Sequence, residues 1–131
     1  MFKLAKIENG RINVGEPEYL KVKANVTVKA GDALKLVSGV LELATGANKP
    51  THIAGASIGA SETKRIIPAL RVEANQIYRA PTSATPAAVG SKVTINATAD
   101  GVTAVTTDGV ATIISHGEAT KAGDHILIRF E

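Results

Sequence analysis

Cysteine and tryptophan are absent from this chain, and its aromatic residues are two phenylalanines and two tyrosines. Without cysteine the protein has no disulfide and no thiolate metal site. With so few aromatic rings, the core has to be built from Val, Ile, Leu and Ala. Such small side chains bury little area each, at about 25 cal/mol per Å². Association with other subunits would therefore add stability to this fold.

Long regular segments are missing as well. No segment places apolar residues at i, i+3, i+4 and i+7 over three turns, so a long helix is not expected. No apolar run is long enough to cross a bilayer. The first seven residues are interrupted by Lys3 and Lys6 and lack the apolar stretch of a signal peptide. We therefore expect a protein that is made in the cytoplasm and has no membrane partner.

The chain is rich instead in glycine turns. The tetrapeptide Lys-Ala-Gly-Asp occurs at 29–32 and again at 121–124, each time ahead of an apolar/polar pattern typical of a strand. A third glycine turn, Gly90-Ser91, also precedes a strand pattern. A carboxylate beside a turn glycine accepts hydrogen bonds from nearby backbone N–H groups. We predict that Asp32 and Asp124 stabilise turns.

Strands are predicted by alternation of apolar and polar residues. The clearest alternation runs over Leu20–Val28. Leu34–Val37 and Val40–Leu43 flank Ser38-Gly39, a spacing that suits a two-residue hairpin. Three further hairpin signals are Asn9-Gly10, Asp100-Gly101 and Asp108-Gly109, and additional strands are predicted at His52–Ile58, Ile66–Val72, Lys92–Thr98, Val102–Thr106, Ala111–Ser115 and His125–Phe130.

These patterns predict an all-β fold, a compact barrel or sandwich of short antiparallel strands with little or no helix. At 131 residues the chain is expected to form one domain over 1–131. Residues 1–15 are predicted to form an N-terminal arm. Residues 80–91, rich in Pro, Ala and Thr, are predicted to form a loop, because proline cannot donate to a strand ladder.

The charge is uneven along the chain. Residues 1–79 hold twelve Lys and Arg against seven Asp and Glu, a net charge of +5, whereas residues 80–131 hold three against five, a net charge of −2. A basic half is suited to an acidic partner. The alternative is that the lysines only solvate the outer faces of strands.

Assembled catalytic groups are not recognisable. His52, His116 and His125 have no metal-ligand spacing, so structural roles are expected for them and neither a metal nor a cofactor is predicted. The only plausible candidates for catalytic groups of an enzyme site are Asp32, Asp124 and His125. We expect a protein that is not an enzyme.

Two other motifs have structural alternatives. Gly55, Ser57 and Gly59 match the Gly-x-Ser-x-Gly motif of a nucleophile elbow. The strand-rich context favours instead a strand of small residues against which another backbone packs. Lys64, Arg65, Arg71 and Arg79 would form a basic patch. With two tyrosines available to stack bases, nucleic-acid binding is not expected. A biotinyl or lipoyl carrier domain would need a lysine at the Ser38-Gly39 hairpin tip, where there is none.

Several of these turn-and-strand motifs together resemble a known family, the small capsid decoration (cement) proteins of tailed bacteriophages. The resemblance spans most of the chain from about Val22 onward. The motifs are Val28–Leu34, Gly39-Val40-Leu41, Ile53–Ser57, Val89–Val93 and Gly123–Ile126.

This resemblance implies a β-rich structural virion protein that stabilises the phage head. It would bind the major capsid protein on the outer surface of the shell, as a homotrimer at local threefold positions. It would act without catalysis or cofactor. The alternative is a small β-barrel module that binds a ligand or carbohydrate.

The N-terminal segment is the predicted partner contact. Phe2 and Leu4 alternate with Lys3, and Lys6 and Ile7 follow, a pattern that suits a strand added to the sheet edge of the capsid or an adjacent subunit. The alternative is an ordinary edge strand of the protein's own sheet.

Overall fold

The computed structural model describes residues 1–8 and 16–131, so the Asn9-Gly10 hairpin signal and residues 9–15 of the predicted arm lie outside the described residues. Over the described ranges the chain forms short β-strands and no α-helix. The all-β prediction is confirmed. The strands are β1 (Lys3–Ile7), β2 (Glu18–Val22), β3 (Ala33–Val37), β4 (Val40–Leu43), β5 (His52–Ala54), β6 (Ile66–Arg71), β7 (Gln76–Pro81), β8 (Lys92–Val93), β9 (Ala111–Ser115) and β10 (His125–Phe130).

Five consecutive strands close into a barrel in the order β2-β4-β3-β5-β6. The barrel closes because β2 pairs with β6 on one side and with β4 on the other. The β2–β4 pair is parallel and the other pairs are antiparallel. The predicted hairpin is present, with Ser38 and Gly39 at φ 49° and 80° between β3 and β4. Positive φ at both residues is typical of a type I′ turn.

The remaining strands form an open antiparallel sheet in the order β1-β7-β10-β9-β8. The N-terminal strand β1 therefore joins a sheet that is otherwise built from the second half of the chain. It brings Lys3 and Lys6 with it, and Arg79 lies on the neighbouring β7. The basic and acidic halves of the sequence consequently do not become two separate faces of the molecule.

The apolar core has two parts. One fills the barrel and includes Val22, Leu34 and Leu41, each with no exposed surface. The other lies between the barrel and the open sheet. It joins Ala33, Ala44 and Ile53 from the outer side of the barrel to residues of the sheet. Its aromatic centre is formed by Phe2, Tyr78 and Phe130, with ring centroids 5.2 Å apart for Phe2–Phe130 and 5.3 Å apart for Tyr78–Phe130.

The three glycine turns noted in the sequence have one geometry. Gly31, Gly90 and Gly123 have φ of 88°, 90° and 90°, in the left-handed region that favours glycine. Each glycine N–H donates to a carbonyl of a neighbouring segment, and the residue that carries this carbonyl donates its own N–H to the residue after the glycine. The neighbouring residues are Ala54 for Gly31, Ile113 for Gly90 and Thr82 for Gly123.

The two aspartates close these turns as predicted. The Asp32 carboxylate accepts a hydrogen bond from the backbone N–H of Lys29 at 2.9 Å. The Asp124 carboxylate accepts one from the N–H of Lys121 at 3.2 Å and one from Thr120 at 2.9 Å. Both copies of Lys-Ala-Gly-Asp therefore fold alike, and the hydrogen bonds expected between the two carboxylates and their turns are present.

The strand predicted over Leu20–Val28 is wrong beyond Val22, where β2 ends. The chain turns at Asn25, whose φ of 63° is more accessible to Asn than to most residues. It returns to the barrel at Val28, which forms a two-way backbone pair with Ile58. The strand predicted over His52–Ile58 is likewise interrupted after Ala54.

Two of the predicted hairpin turns are wrong because their glycines serve close packing. Gly101 lies against the carbonyl of Pro81 and Gly109 against the carbonyl of Lys92, so neither site has room for a side chain. Six residues separate the antiparallel partners Ile95 and Val102, which is longer than a two-residue turn. The strands predicted over 92–98 and 102–106 are reduced to β8 and isolated pairs.

Strand β7 was not predicted. Only Ile77, Tyr78 and Ala80 are apolar in it, and its end overlaps the Pro/Ala/Thr-rich segment 80–91. Yet β7 lies inside the open sheet, between β1 and β10. Beyond Thr82 the segment continues through bends and turns to Ser91.

We expect Gly109→Ala to destabilise the protein by about 2 kcal/mol, because the new methyl group would overlap the Lys92 backbone. Gly59→Ala is the control, since its methyl group would lie 3.4 Å from the Glu62 carboxylate and neither glycine has positive φ. Urea unfolding measures the difference. Equal losses in the two variants would contradict this account of Gly109.

Asp32 and Asp124 occupy equivalent turn positions, but we expect them to change the stability of the protein with pH in opposite directions. Burial raises the pKa of Asp32 above its ordinary value of 3.8, whereas the N–H groups of Thr120 and Lys121 lower the pKa of Asp124. Ionised Asp32 therefore costs stability as the pH rises above about 3.8. Ionised Asp124 contributes stability that is present above about 3.8 and lost as the pH falls through its folded-state pKa.

The free energy of unfolding of Asp32→Asn, relative to the wild type, should consequently rise between about pH 3 and pH 6. That of Asp124→Asn should fall over the same range. Urea titrations at several pH values test both variants. Relative stabilities that change in the same direction with pH would exclude this assignment.

Candidate interaction surface

The outer side of the barrel carries exposed apolar side chains where the open sheet does not cover it. Along β2 and β6, side chains alternate between the barrel interior and its outer side. Tyr19 and Ile66 point outward and are 71% and 65% exposed. At the tip of the β3–β4 hairpin, Val37 is 41% exposed. Large apolar side chains exposed to this degree mark interaction sites when they are contiguous.

Strand register makes these side chains contiguous. Tyr19 lies opposite Pro68 and Lys21 opposite Ile66 in the β2–β6 pair. On its other side Lys21 lies opposite Val40, which pairs with Val37. We call this surface the barrel face. It consists of Tyr19, Lys21, Val37, Val40, Ile66 and Pro68.

The surroundings of the barrel face are basic. The Glu42 carboxylate forms ion pairs with the Lys23 Nζ at 3.5 Å and the Lys35 Nζ at 3.7 Å. Lys21 and Lys64 are exposed, and no ion pair to either is found within the described residues. The four lysines against Glu42 leave this side of the barrel with a net positive charge.

A groove runs beside Ile66. Its volume is about 470 Å³, and it is lined by Lys21, Thr63, Lys64, Arg65 and Ile66. It combines one apolar wall with two ammonium groups.

Arg65 forms the structural support of this groove. The residue is 9% exposed, and its guanidinium donates to the carbonyls of Lys23, Val26 and Gly59 at 2.6–2.7 Å. It thereby ties the turn that follows β2 to the loop before β6. The predicted basic patch of Lys64, Arg65, Arg71 and Arg79 is therefore wrong, since Arg65 is inside the fold.

A polar cluster closes one end of the barrel. Arg71 donates to the Glu18 carboxylate at 2.6 Å, and this hydrogen bond is the main cause of a lowered Glu18 pKa. His52 is 2% exposed, with Nε2 3.4 Å from Glu18 and Nδ1 2.9 Å from the Thr51 hydroxyl. A cavity of about 640 Å³ adjoins this cluster and is lined in part by His52 and Arg71.

The other two histidines share a second cavity, of about 610 Å³. His116 and His125 line it together with Asp124 and Arg79. Asp32 does not line it, so the structure does not bring Asp32, Asp124 and His125 to one site. Within residues 1–8 and 16–131, no group of three or more His, Asp or Glu side chains is placed to hold a metal ion.

The elbow-like segment packs closely against another backbone, as predicted, although it does not continue as a strand beyond Ala54. A side chain at Gly55 would lie 3.0 Å from the Pro68 carbonyl, and the Gly55 N–H donates to that carbonyl. The Ser57 hydroxyl accepts a hydrogen bond from the N–H of Ala30 at 2.9 Å. Small residues are thus required here because another strand approaches closely.

The predicted partner-contact residues form the edge strand of the open sheet. Phe2 is 2% exposed and belongs to the aromatic centre of the core. Lys3 and Lys6 are exposed, Leu4 and Ile7 are half-buried, and a register shift separates Leu4 from Lys6. Edge lysines and bulges are features that limit strand addition. A partner contact at β1 stays a prediction, with the Phe2 ring directed into the core.

The barrel face was not identified from the sequence. The signal was present in β2, where Tyr19 and Lys21 alternate with Leu20, and in the adjacent isoleucines 66 and 67, of which only one can point inward. Which outer side of the barrel remains uncovered depends on how the open sheet packs.

Comparison of the chain with protein-family models, curated proteins and solved structures finds no match. Among the residues that the structure describes, no helix has the length and apolar character needed to span a membrane.

We expect Arg65→Met to lower the free energy of unfolding by about 3 kcal/mol, because it leaves three carbonyls without their charged donor. Arg65→Lys should recover only part of the loss, since a single ammonium cannot reproduce the planar fork. Lys64→Met, at the exposed neighbour, is the control and should change stability by less than about 0.5 kcal/mol. Chemical denaturation measures the free energy of unfolding of each variant. Equal losses for Arg65→Met and Lys64→Met would refute the structural role of Arg65.

Proposed function

We propose that this protein is a structural virion protein that binds the outer surface of a tailed-phage capsid and stabilises the shell. The proposed partner is the major capsid protein, and the proposed assembly is a homotrimer at local threefold positions. The family resemblance of the turn motifs suggests this function. The barrel face is the observation that carries the proposal.

The barrel face has the properties of a protein-binding surface. Tyr19 and Ile66 lie in neighbouring strands of a closed barrel, which holds them in fixed positions. Aromatic and aliphatic side chains on a rigid support bind with little loss of conformational entropy. A coat protein that must resist pressure from within a shell needs contacts of this kind.

The rigidity of the rest of the fold supports the same function. Each glycine turn is attached to a neighbouring segment by two backbone hydrogen bonds. The core between barrel and sheet contains residues of both, including Ile53 and Tyr78. Force applied at the barrel face would therefore be transmitted to the whole molecule.

A second candidate function is binding of a small ligand at the end of the barrel. The observation that favours it is the cavity of about 640 Å³ beside Arg71 and the buried His52. Barrel mouths with a few polar groups are common ligand sites.

Co-sedimentation with shells that lack decoration protein tests the proposed function. We expect the wild type to bind in a fixed ratio to the capsid subunit and to raise the temperature at which shells open. Tyr19→Ser combined with Ile66→Ser should weaken binding at least about tenfold, or about 1.4 kcal/mol, because it removes the apolar centre of the barrel face.

The matched control combines Val89→Ser with Val105→Ser, which changes two valines that are 57% and 54% exposed outside the barrel face. This variant should bind like the wild type. A wild-type protein that does not sediment with shells would eliminate the capsid function. Equal weakening in both double variants would remove the barrel face as its basis.

A further inference from the structure

The groove beside Ile66 indicates which kind of partner would bind at the barrel face, because it combines an apolar wall with basic side chains. Its apolar wall is continuous with Pro68 and Tyr19, because Pro68 lies two residues from Ile66 on β6 and opposite Tyr19 on β2. Its rim carries the ammonium groups of Lys21 and Lys64. An apolar side chain fits the wall, and carboxylates fit the rim.

The two lysines of the rim form no ion pair among the residues that the structure describes. Glu42 pairs with Lys23 and Lys35. Glu62, which lies in the same loop as Lys64, accepts a hydrogen bond from the N–H of Gly59 and forms no ion pair with either lysine. Lys21 and Lys64 therefore present their charge to an incoming partner.

The floor of the groove is fixed in position. The Arg65 guanidinium is held by three carbonyls of two segments, so its sequence neighbours Lys64 and Ile66 extend from a rigid point of the backbone. A groove held in this way does not need to be ordered when a partner binds.

We propose that the groove receives an acidic segment of the capsid surface, in which an apolar side chain packs on Ile66 and flanking carboxylates pair with Lys21 and Lys64. This inference rests on the proposed function and names the chemistry of the partner. The occupant is a segment of the assembled shell, since a second copy offers no acidic sheet to the groove. The strands of the open sheet contain no Asp or Glu and carry the basic residues Lys3, Lys6, Arg79, Lys92 and Arg129.

The test is co-sedimentation with undecorated shells at low and high salt. Lys21→Glu combined with Lys64→Glu should weaken binding at least about tenfold, and most of the salt dependence of wild-type binding should disappear. Lys92→Glu combined with Lys121→Glu, two exposed lysines outside the barrel face, is the charge-matched control and should bind like the wild type. Circular dichroism and melting temperatures within about 3 °C of the wild type establish that both variants are folded.

The outcomes separate this inference from the proposed function. If the wild type sediments with shells and the Lys21/Lys64 variant does so equally well, the groove is not the contact, although the capsid function stands. If the wild type does not sediment with shells, both fail. Light scattering adds one further outcome. A smaller oligomer for the Lys21/Lys64 variant, with unchanged shell binding, would assign the groove to a second copy and overturn the proposal.

Discussion

The fold depends on a pair of backbone hydrogen bonds made at each of three glycine turns. At Gly31, Gly90 and Gly123 the chain reverses with a positive φ, and the glycine and its successor exchange hydrogen bonds with one residue of a neighbouring segment. Each strand that follows, β3, β8 or β10, therefore begins already paired. Because the paired strands are short, this attachment determines where each one starts.

The elements that could be predicted from sequence are those with local signals. Strands β9 and β10 have the predicted bounds, and the Ser38-Gly39 hairpin is formed by residues that are consecutive in sequence. The elements that were missed depend on distant residues. The alternation over Leu20–Val28 does not show that β2 ends at Val22. The turn that follows β2 is held by Arg65, about forty residues away in sequence. Gly101 and Gly109 each follow an aspartate, a sequence typical of a hairpin turn. Glycine is required at both positions because another backbone packs closely against it.

The same distinction applies to the candidate interaction surface. Alternation in β6 separates inward Ile67 from outward Ile66, and this much is visible in the sequence. On β5, however, the outward Ile53 is only 5% exposed because the open sheet covers it. Whether an outward isoleucine is core or surface is therefore decided by packing between the barrel and the sheet, which a single sequence does not reveal. Phe2, predicted as a contact residue, is buried for the same reason.

The order of strands along the chain has a consequence for synthesis on the ribosome. The barrel uses strands that are consecutive between Glu18 and Arg71, so it is able to close while the rest of the chain is still being made. Strand β1 is made first, but its partner β7 begins only at Gln76, and β10 ends at Phe130. The nascent chain must therefore keep its first strand unpaired until β7 has emerged, and the outer side of the barrel at Ala33 and Ile53 incompletely covered until β10 has emerged.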